Sequence, residues 1–526
     1  MKSAFRKPRV LVVVAHFDEM RQYGGRPNFF PQAMGHAFLA GAFHRDRVDI
    51  RLYSEVHSGP IEALDQLAWP DMVVLTGVTA AFDRMRHITA HVRVLNPRAT
   101  VVAGGPAVRN LPRLSAEIFD ICCLGDIEEL REVAGDMFGT RAQAPEMLPR
   151  FDLLGWKSPV NYVETSRYCN FRCSFCALTG EGRPFQSYSL DYVEYQIRAQ
   201  PRGRYVLFID NNFYGCARPH YRARLDLLRR LWKEGLFKGW IALVTNDFYA
   251  KGRNLAEARA AGCVGLFSGV ESLDAGQLAK YGKRQNLAVP QLSAIEDCLN
   301  AGLVYHYGLM FDPASEPLEK MQDQLDFIIG HDRVPMPAFM SLTIPLLGTP
   351  EFRRTLEAGQ MLPGARLRDM DGVTMVTRPL DPMPQVTEFI ARINDLSWAR
   401  GRVLHRSARF WRRYRRPLSH AQMANLLFNG LRLALPGFGR NNLTWLPGRA
   451  QAEPRTFDTR TQPLGRLYAP LIDLPGHLRG HFEPTLVTDA SGGLHPDLLP
   501  DLGPGADAMS GRVDAGQTGM PERLSG

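Results

Sequence analysis

The sequence contains few cysteines and no long apolar run. Eight cysteines in 526 residues are too sparse for the disulfide framework of a secreted protein. No apolar segment reaches the roughly 18–20 residues of a membrane span. The run 10–15 is too short for a secretory signal and is typical of a buried first strand. We therefore expect a cytoplasmic protein in which thiols stay reduced.

Length and charge leave several functions open. The chain is 45% hydrophobic and 22% charged, which is ordinary for a globular protein of two or three domains. Its net charge of +9 is compatible with an anionic substrate, nucleic acid or an acidic membrane surface. Charge alone does not choose among these partners.

Three of the cysteines are clustered. Cys169, Cys173 and Cys176 have the spacing C-x3-C-x2-C. Three thiolates this close in sequence can bind three irons of a 4Fe–4S cluster and leave the fourth iron open to a substrate. A structural zinc site normally needs four ligands, and no second C-x2-C or H-x3-H lies nearby. These cysteines are therefore predicted to be metal ligands and catalytic residues.

Residues 1–140 alternate apolar strand-like runs with helical segments. This rhythm predicts βαβ units and a Rossmann-like, doubly wound parallel sheet. Such sheets bind ligands at the carboxyl ends of their strands, where glycine lets a ligand approach the backbone. Thr76, Gly104 and Gly105 lie at these ends and are candidate cofactor-binding residues. Cys122 and Cys123 lie on a predicted core strand and are expected to be small core residues.

The βα rhythm resumes over residues 150–380. Six further units are predicted, with the cysteine loop directly after the first strand. On one of these strands, Tyr305 and Tyr307 are expected to share a face and His306 to point to the other. The six predicted strands are 162–165, 204–210, 240–245, 264–269, 304–311 and 338–343.

The cysteine spacing, with Phe175 just before the last cysteine, resembles the signature of the radical S-adenosylmethionine (radical SAM) superfamily. The resemblance implies a partial (βα)6 barrel whose carboxyl-terminal mouth holds the cluster. It also implies that S-adenosylmethionine chelates the open iron, and that one electron then breaks its S–C5′ bond to give a 5′-deoxyadenosyl radical. Phe175 would contact the adenine through its local backbone.

The same resemblance implies further cofactor-binding residues. Asp210, Asn211 and Asn212 follow the second barrel strand and would hold the amino group of S-adenosylmethionine, since an ammonium needs oxygen acceptors. An Asx-rich turn is the alternative. Ser268 and Glu271, in a Gly-x-Glu-Ser run, would meet its ribose or methionine part. The run 282–286 follows as the family pattern expects, and the loop 343–350 would close the floor of the site.

The N-terminal glycine turns, within 75–79, 104–106 and 125–128, resemble those of the cobalamin-binding domain that precedes many radical SAM domains. Cobalamin is therefore a candidate cofactor. The family's Asp-x-His-x-x-Gly is missing, because His16 and Asp18 occur in the wrong order. Cobalt ligation by a protein histidine is accordingly not expected. The alternative is a Rossmann-like domain that only caps the radical site.

The C-terminal part divides into a basic helical region, 381–450, and a Pro/Gly-rich tail, 451–526, expected to be largely disordered. Eight arginines lie between Arg400 and Arg416, interleaved with aromatic residues. Such a segment can contact an anionic membrane surface, which is the contact considered for 400–435, or bind nucleic acid or an anionic substrate. A helical cap with a solvated arginine face is the alternative.

Together these features predict a radical SAM enzyme that modifies an unactivated carbon of an apolar or anionic small molecule. Cobalamin-dependent methylation is one outcome, and cobalamin-independent oxidation or cyclisation is another. A tRNA methylthiotransferase-like enzyme or a non-enzymatic iron–sulfur redox sensor would also fit the cysteine spacing. The resemblance implies an electron donor such as flavodoxin or ferredoxin. Nucleic acid is not the expected partner, and Cys216 is a candidate hydrogen donor.

Overall fold

A computed structural model of the chain describes residues 6–15, 34–155, 160–435, 441, 443–446 and 469–503. Its first sheet has five parallel strands in the order β2-β1-β3-β4-β5. Its three central strands, 9–14, 72–76 and 100–104, form because short runs of apolar residues are buried on both faces. The five strands are β1 (Arg9–Val14), β2 (Asp49–Ser54), β3 (Met72–Thr76), β4 (Thr100–Gly104) and β5 (Ile121–Cys123). The helices are α1 (Gly35–Leu39), α2 (Glu55–Ser58), α3 (Leu64–Ala68), α4 (Phe82–Leu95), α5 (Pro106–Asn110), α6 (Pro112–Ile118) and α7 (Ile127–Phe138).

The second sheet has six parallel strands in the order β13-β12-β11-β10-β9-β6, a half-barrel whose strands follow chain order. A small antiparallel pair, β7 (Ser166–Arg167) and β8 (Gln186–Ser187), lies beside it. The barrel strands are β6 (Val160–Val163), β9 (Arg204–Phe208), β10 (Phe237–Leu243), β11 (Cys263–Glu271), β12 (Val304–Phe311) and β13 (Phe339–Leu342). The helices are α8 (Ala177–Glu181), α9 (Leu190–Arg198), α10 (Arg218–Lys233), α11 (Arg253–Ala260), α12 (Ala275–Lys280), α13 (Gln291–Asn300), α14 (Leu318–Gly330) and α15 (Pro350–Glu357).

The fold class predicted from sequence is confirmed: a doubly wound sheet, a half-barrel and a helical C-terminal region follow one another. The domain boundaries themselves stay predictions. On β12, Tyr305 and Tyr307 are fully buried on one face, with ring centroids 6.1 Å apart. His306 points to the other face, where its Nε2 lies 2.7 Å from Asn425 Oδ1.

The C-terminal region packs against the half-barrel. It comprises β14 (Thr374–Met375), α16 (Met383–Asn394), α17 (Arg400–Tyr414), α18 (His420–Ala434) and β15 (Thr444–Trp445). Gln422 of α18 donates to the carbonyl oxygens of Val264 and Gly302, 3.1 and 3.0 Å away. Both carbonyls lie where barrel strands begin, so the α17–α18 hairpin covers the end opposite the cysteine loop.

Buried Arg406 of α17 supplies further hydrogen bonds at this end. It donates to the carbonyl oxygens of Ile328 and His331 at 3.0 and 2.9 Å, and also to that of Val334. Its guanidinium therefore satisfies carbonyls that α14 and the following loop leave open.

The expectation of a largely disordered tail is wrong for residues 469–503, which pack on the N-terminal domain. Leu474 and Leu478 are buried against α4, and Phe482 stacks on His87 with ring centroids 4.2 Å apart. Buried Asp83 accepts from the backbone N–H and the hydroxyl of Thr485, at 3.0 and 2.6 Å. The apolar residues Leu474, Leu478 and Phe482 occur singly among polar residues, prolines and glycines, so the sequence shows no periodicity there. Each of them nevertheless packs against α4.

Candidate active site at the barrel mouth

The cysteine loop follows β6 at the carboxyl-terminal mouth of the half-barrel, where such barrels carry their chemistry. Tyr168, just before the first cysteine, has a left-handed backbone with φ 61°. The backbone N–H groups of Asn170 and Phe171 lower the pKa of the Cys169 thiol, although burial raises it overall. Amide donors that face a cysteine sulfur suit a thiolate that binds iron.

Cys176 is held in a similar way at the start of α8. Burial raises the pKa of its thiol to about 11, while the N–H groups of Leu178 and Thr179 act in the opposite direction. Among the described residues, no three His, Cys, Asp or Glu side chains are spaced for a single metal ion. In a 4Fe–4S cluster each thiolate binds a different iron, so the sulfurs stand farther apart than the ligands of one ion. The assignment of the three cysteines to such a cluster stays a prediction.

The run 282–286 fastens the cysteine loop to the end of β11. Gln285 Nε2 donates to Cys173 Sγ at 3.3 Å, and the Ser174 N–H donates to the Tyr281 carbonyl at 2.9 Å. Asn286 Nδ2 donates to the carbonyl oxygens of Gly269 and Val270, at 2.8 and 3.1 Å. These contacts lock two segments of the mouth together.

Glu271 ends β11 in a left-handed conformation, with φ 62°. Its carboxylate forms an ion pair with Lys283, whose ammonium lies 5.8 Å from the centroid of the Phe175 ring. Glu271, Lys283 and Phe175 thus form one unit beside the cysteines. Ser268 is buried deeper, where its hydroxyl donates to the Val244 carbonyl at 3.0 Å.

Asp210 and Asn212 turn toward the cysteine loop. Asp210 Oδ1 accepts from the Thr165 N–H, the Thr165 hydroxyl and the Ser166 hydroxyl at 2.5–3.1 Å, while its buried Oδ2 has no hydrogen-bond partner among the described residues. Burial raises the pKa of this carboxyl. Asn212 Nδ2 donates to Asn170 Oδ1 at 2.7 Å. These two side chains support the loop, and the role of Asp210 in holding a ligand stays a prediction.

The remaining candidates occupy different settings. Asn211 is exposed at the mouth. Cys216 Sγ lies 3.4 Å from the Arg224 guanidinium, and its role as a hydrogen donor stays a prediction. Burial raises the pKa of the Cys122 thiol to about 11, which fits a core residue better than a ligand.

A cavity of about 350 Å³ lies between the two sheets. Thr76, Gly104 and Gly105 line it from the N-terminal domain, and Glu164 and Arg167 line it from the barrel mouth. A side chain at Gly104 would meet nothing closer than 3.4 Å, so glycine leaves this wall open. Gly105 has φ 110°, and a Cβ there would lie 2.7 Å from the Gly77 carbonyl oxygen. Its glycine is required by the turn itself.

Charged side chains join the domains around this cavity. Arg109 forms ion pairs with Asp126, at 2.8 Å, and with Glu181 of α8. Arg167 reaches Glu164 at 3.2 Å and Glu128 at 3.4 Å. The cysteine loop is therefore tied to the N-terminal domain by both arginines.

Glu164 stands out among these groups. Burial raises its pKa to about 7 against the opposing effect of Arg167, so its charge changes near neutral pH. Among the described residues, no histidine lines the cavity. His16 and Asp18 are not among the described residues. The absence of a cobalt-binding histidine stays a prediction.

Sequence reasoning missed Glu164, Arg167, Arg109, Lys283 and Gln285 as individual residues. Four of the five lie in or beside motifs that the sequence shows. Glu164 and Arg167 lie just before the cysteine run, and Lys283 and Gln285 lie in the run 282–286. Arg109 had no signal in the sequence, since its partners depend on how the domains pack. Across the described ranges, no helix combines the length and apolar character needed to cross a membrane.

Residues 163–325 match the family model described as the Radical SAM superfamily. The bacteriochlorophyllide d C-8(2)-methyltransferase of Chlorobaculum tepidum is 25% identical over 323 residues, covering 55% of this chain and 69% of that protein.

Solved structures of the cobalamin-dependent S-adenosylmethionine radical enzyme OxsB share the fold. The structure with aqua-cobalamin and S-adenosylmethionine bound gives a TM-score of 0.57 at 16% identity, covering 81% of this chain and 79% of that one. The structure with aqua-cobalamin alone gives 0.56 at 15% identity over the same shares. Radical SAM proteins use a 4Fe–4S cluster and S-adenosylmethionine, and need an electron donor. This chain therefore carries a radical SAM domain over residues 163–325 and is similar in overall fold to OxsB.

Proposed function

We propose that this enzyme cleaves S-adenosylmethionine at a cluster on Cys169, Cys173 and Cys176 and methylates an unactivated carbon with the help of cobalamin. One observation carries the proposal: Glu164 and Arg167, which flank the cysteine loop, also line the cavity between the domains. The S-adenosylmethionine site and the cobalamin site proposed here would therefore be neighbours, as methyl transfer to a substrate radical requires.

The chain's own residues have distinct roles in this proposal. A cluster held by the three cysteines would supply the electron that breaks the S–C5′ bond. Asp210 Oδ2 and the side-chain amide oxygens of Asn211 and Asn212 would accept hydrogen bonds from the amino group of S-adenosylmethionine. Glu271, fixed by Lys283, and Ser268 would orient its ribose or methionine part, and Phe175 would contact the adenine through its local backbone.

The cavity walls support cobalamin as the second cofactor. Thr76, Gly104 and Gly105 bring backbone close to the ligand at the carboxyl ends of β3 and β4, where doubly wound sheets bind ligands. A relative is a methyltransferase, and OxsB carries aqua-cobalamin. Arg109 and Arg167 stand at the rim and would hold the two domains around the cofactor.

The substrate would be an apolar or anionic small molecule, and the chain's net charge of +9 is compatible with an anionic one. The electron donor would be a flavodoxin or a ferredoxin. A tRNA methylthiotransferase needs a second cluster on N-terminal cysteines, and only Cys122 and Cys123 precede Cys169. Methylation of a small molecule is therefore favoured over tRNA modification.

Anaerobic reconstitution tests the proposal. The wild type, loaded with iron and sulfide and reduced with dithionite, should release 5′-deoxyadenosine from S-adenosylmethionine, and Cys173→Ala should not. Cys263→Ala, buried at the other end of the barrel, is the matched control and should keep the activity. Equal yields from wild type and Cys173→Ala would overturn the cluster assignment.

Cobalamin is tested separately by its visible bands after gel filtration of protein purified with cobalamin. Retained bands support methylation. Release of 5′-deoxyadenosine without retained cobalamin overturns the methylation step in favour of oxidation or cyclisation. A reduced cluster whose EPR spectrum ignores S-adenosylmethionine would instead indicate a redox sensor.

A further inference from the structure

Helix α17 exposes a continuous apolar stripe on its outer side. Leu404, Ala408 and Trp411 occur at i, i+4 and i+7 and so share one face of the helix. All three are exposed, and Leu404 and Trp411 each keep 41% of their surface accessible. The opposite side of the helix is buried in the protein. The stripe therefore lacks a partner among the described residues.

Apart from buried Arg406, the arginines of 400–416 fall into two groups. Arg402 pairs with Asp326 of α14, and Arg409 and Arg413 pair with Asp332 in the loop after α14. The others flank the stripe, and none forms an ion pair among the described residues. Residues 400–416 contain no Asp or Glu, so this second group leaves a net positive surface. Its members are Arg400, Arg412, Arg415 and Arg416.

The stripe is an unsuitable dock for the electron donor. Tyr414 donates to the Arg333 carbonyl at 2.6 Å, which places the end of α17 beside the loop that leads into β13. This is the amino-terminal end of the half-barrel. Strand β11 has nine residues, so the cysteine loop lies roughly 30 Å away at about 3.3 Å per residue. A redox protein bound here would be remote from the iron.

The chemistry of the stripe favours lipid over nucleic acid. Nucleic-acid grooves that lack sequence preference use aromatic rings for stacking along a basic channel. Here the centre of the face is aliphatic as well as aromatic, with Leu404 and Ala408 beside Trp411, and the cations flank it. Apolar residues with flanking arginines are typical of helices that lie in a membrane interface.

We propose that α17 docks the enzyme on an anionic membrane surface, with Leu404 and Trp411 in the interface and Arg400, Arg412, Arg415 and Arg416 over the lipid headgroups. The mouth then points away from the bilayer, so docking sets the location of the enzyme and does not open its active site to lipid. This inference does not depend on the reaction proposed above.

Vesicle binding of the full-length chain tests the proposal. The protein should sediment with vesicles of 70% phosphatidylcholine and 30% phosphatidylglycerol, and not with pure phosphatidylcholine vesicles. An arginine near an anionic surface contributes about fivefold to affinity. Arg412→Gln/Arg415→Gln/Arg416→Gln should therefore weaken binding by roughly 100-fold.

The matched control is Arg202→Gln/Arg222→Gln/Arg253→Gln, which removes the same charge from exposed arginines elsewhere that have no ion pair in the described structure. It should bind nearly as wild type. Leu404→Gln/Trp411→Gln should abolish the part of binding that resists salt. Both triple variants should show the wild-type circular dichroism spectrum and release of 5′-deoxyadenosine.

Three results would overturn the proposal: no binding to anionic vesicles, equal loss in the control triple variant, or equal binding to neutral vesicles. Binding of a single-stranded oligonucleotide that depends on the stripe arginines, without vesicle binding, would assign the face to nucleic acid instead.

Discussion

The two ends of the half-barrel differ in backbone conformation and in side-chain packing. At the mouth, Tyr168 and Glu271 adopt left-handed backbones, and polar side chains hold the loops across gaps between strands. At the opposite end, Gln422 and Arg406 satisfy buried carbonyls, and aromatic and sulfur-containing residues such as Trp240 and Cys263 are fully packed.

The difference separates chemistry from stability. Strained backbones and a carboxyl with an unused oxygen are retained where a ligand can use them. At the closed end, where such barrels carry no chemistry, the buried carbonyls are hydrogen-bonded and the side chains are densely packed. Substitutions at the mouth should therefore change the reaction with little effect on folding, and those at the closed end should do the reverse.

The largest expected effect is at the closed end. Arg406→Met removes the donor for three buried carbonyls, so we expect a loss of about 3 kcal/mol or more in stability, seen as a lower urea midpoint. The yield of 5′-deoxyadenosine per folded, iron-loaded molecule should not change. Arg409→Met, on the same helix but exposed, is the control and should shift the midpoint little. If Arg406→Met kept the wild-type urea midpoint but lost 5′-deoxyadenosine formation, the closed end would serve the reaction and not stability, contrary to this comparison.

At the mouth, Lys283→Met should slow 5′-deoxyadenosine formation by about 100-fold, because it leaves the Glu271 carboxylate without its cation. The iron content should stay at the wild-type level. Lys280→Met, three residues earlier and exposed, should keep the rate. A variant that loses iron as well would show that Lys283 acts on the cluster loop rather than on the orientation of Glu271.

Glu164 should make stability depend on pH. Burial raises its pKa to about 7, above its ordinary value of 4.5, so the folded state binds more protons and its stability falls as pH rises from about 4.5 to 7. Glu164→Gln should remove this fall and gain about 2 kcal/mol relative to wild type between pH 5 and pH 8. Urea midpoints at both values measure it.

Glu128→Gln removes the other, 58% exposed carboxylate that contacts Arg167, and so controls for a lost ion pair. The same pH response in wild type and Glu164→Gln would contradict the assignment.

The smallest effect concerns the cluster potential. Gln285 donates to the Cys173 sulfur, and such a bond stabilises the more negative, reduced cluster. Gln285→Leu should therefore lower the midpoint potential, measured by EPR-monitored titration, by on the order of 50 mV. Gln422→Leu, the same change at the closed end, should leave the potential alone. A shift in both variants would mean that the two ends are coupled.

Much of the fold could be predicted because its signals are local. Strand β11 extends from Cys263 to Glu271 and includes the whole predicted run 264–269, in which valine, leucine and phenylalanine favour a strand. Strand β10 begins at Phe237, earlier than the predicted 240, because Lys238 and Gly239 interrupt the apolar run. Element boundaries of this kind depend on pairing with neighbouring strands.

The site was predictable to the extent that its residues lie in motifs. The cysteines and the Gly-x-Glu-Ser run could be found by spacing alone, and their roles stay predictions to be tested. The hydrogen bond between Asp210 and Thr165 could not be predicted, because the two residues lie 45 positions apart in sequence and the contact depends on how β6 and β9 pair. The ion pairs of Arg109 and Arg167 could not be predicted either, because they form only once the two domains pack together.

The packing of residues 469–503 on α4 has a consequence for biosynthesis. The Leu471 N–H donates to His91 across 380 residues of sequence, and Asp83 finds the hydroxyl of Thr485 across 402. The ribosome makes the N-terminal domain first, but α4 lacks these contacts until translation has passed the whole barrel. The two walls of the cavity between the domains are thus made long before the segment that packs on α4, so the first domain to be synthesised is the last to be completed.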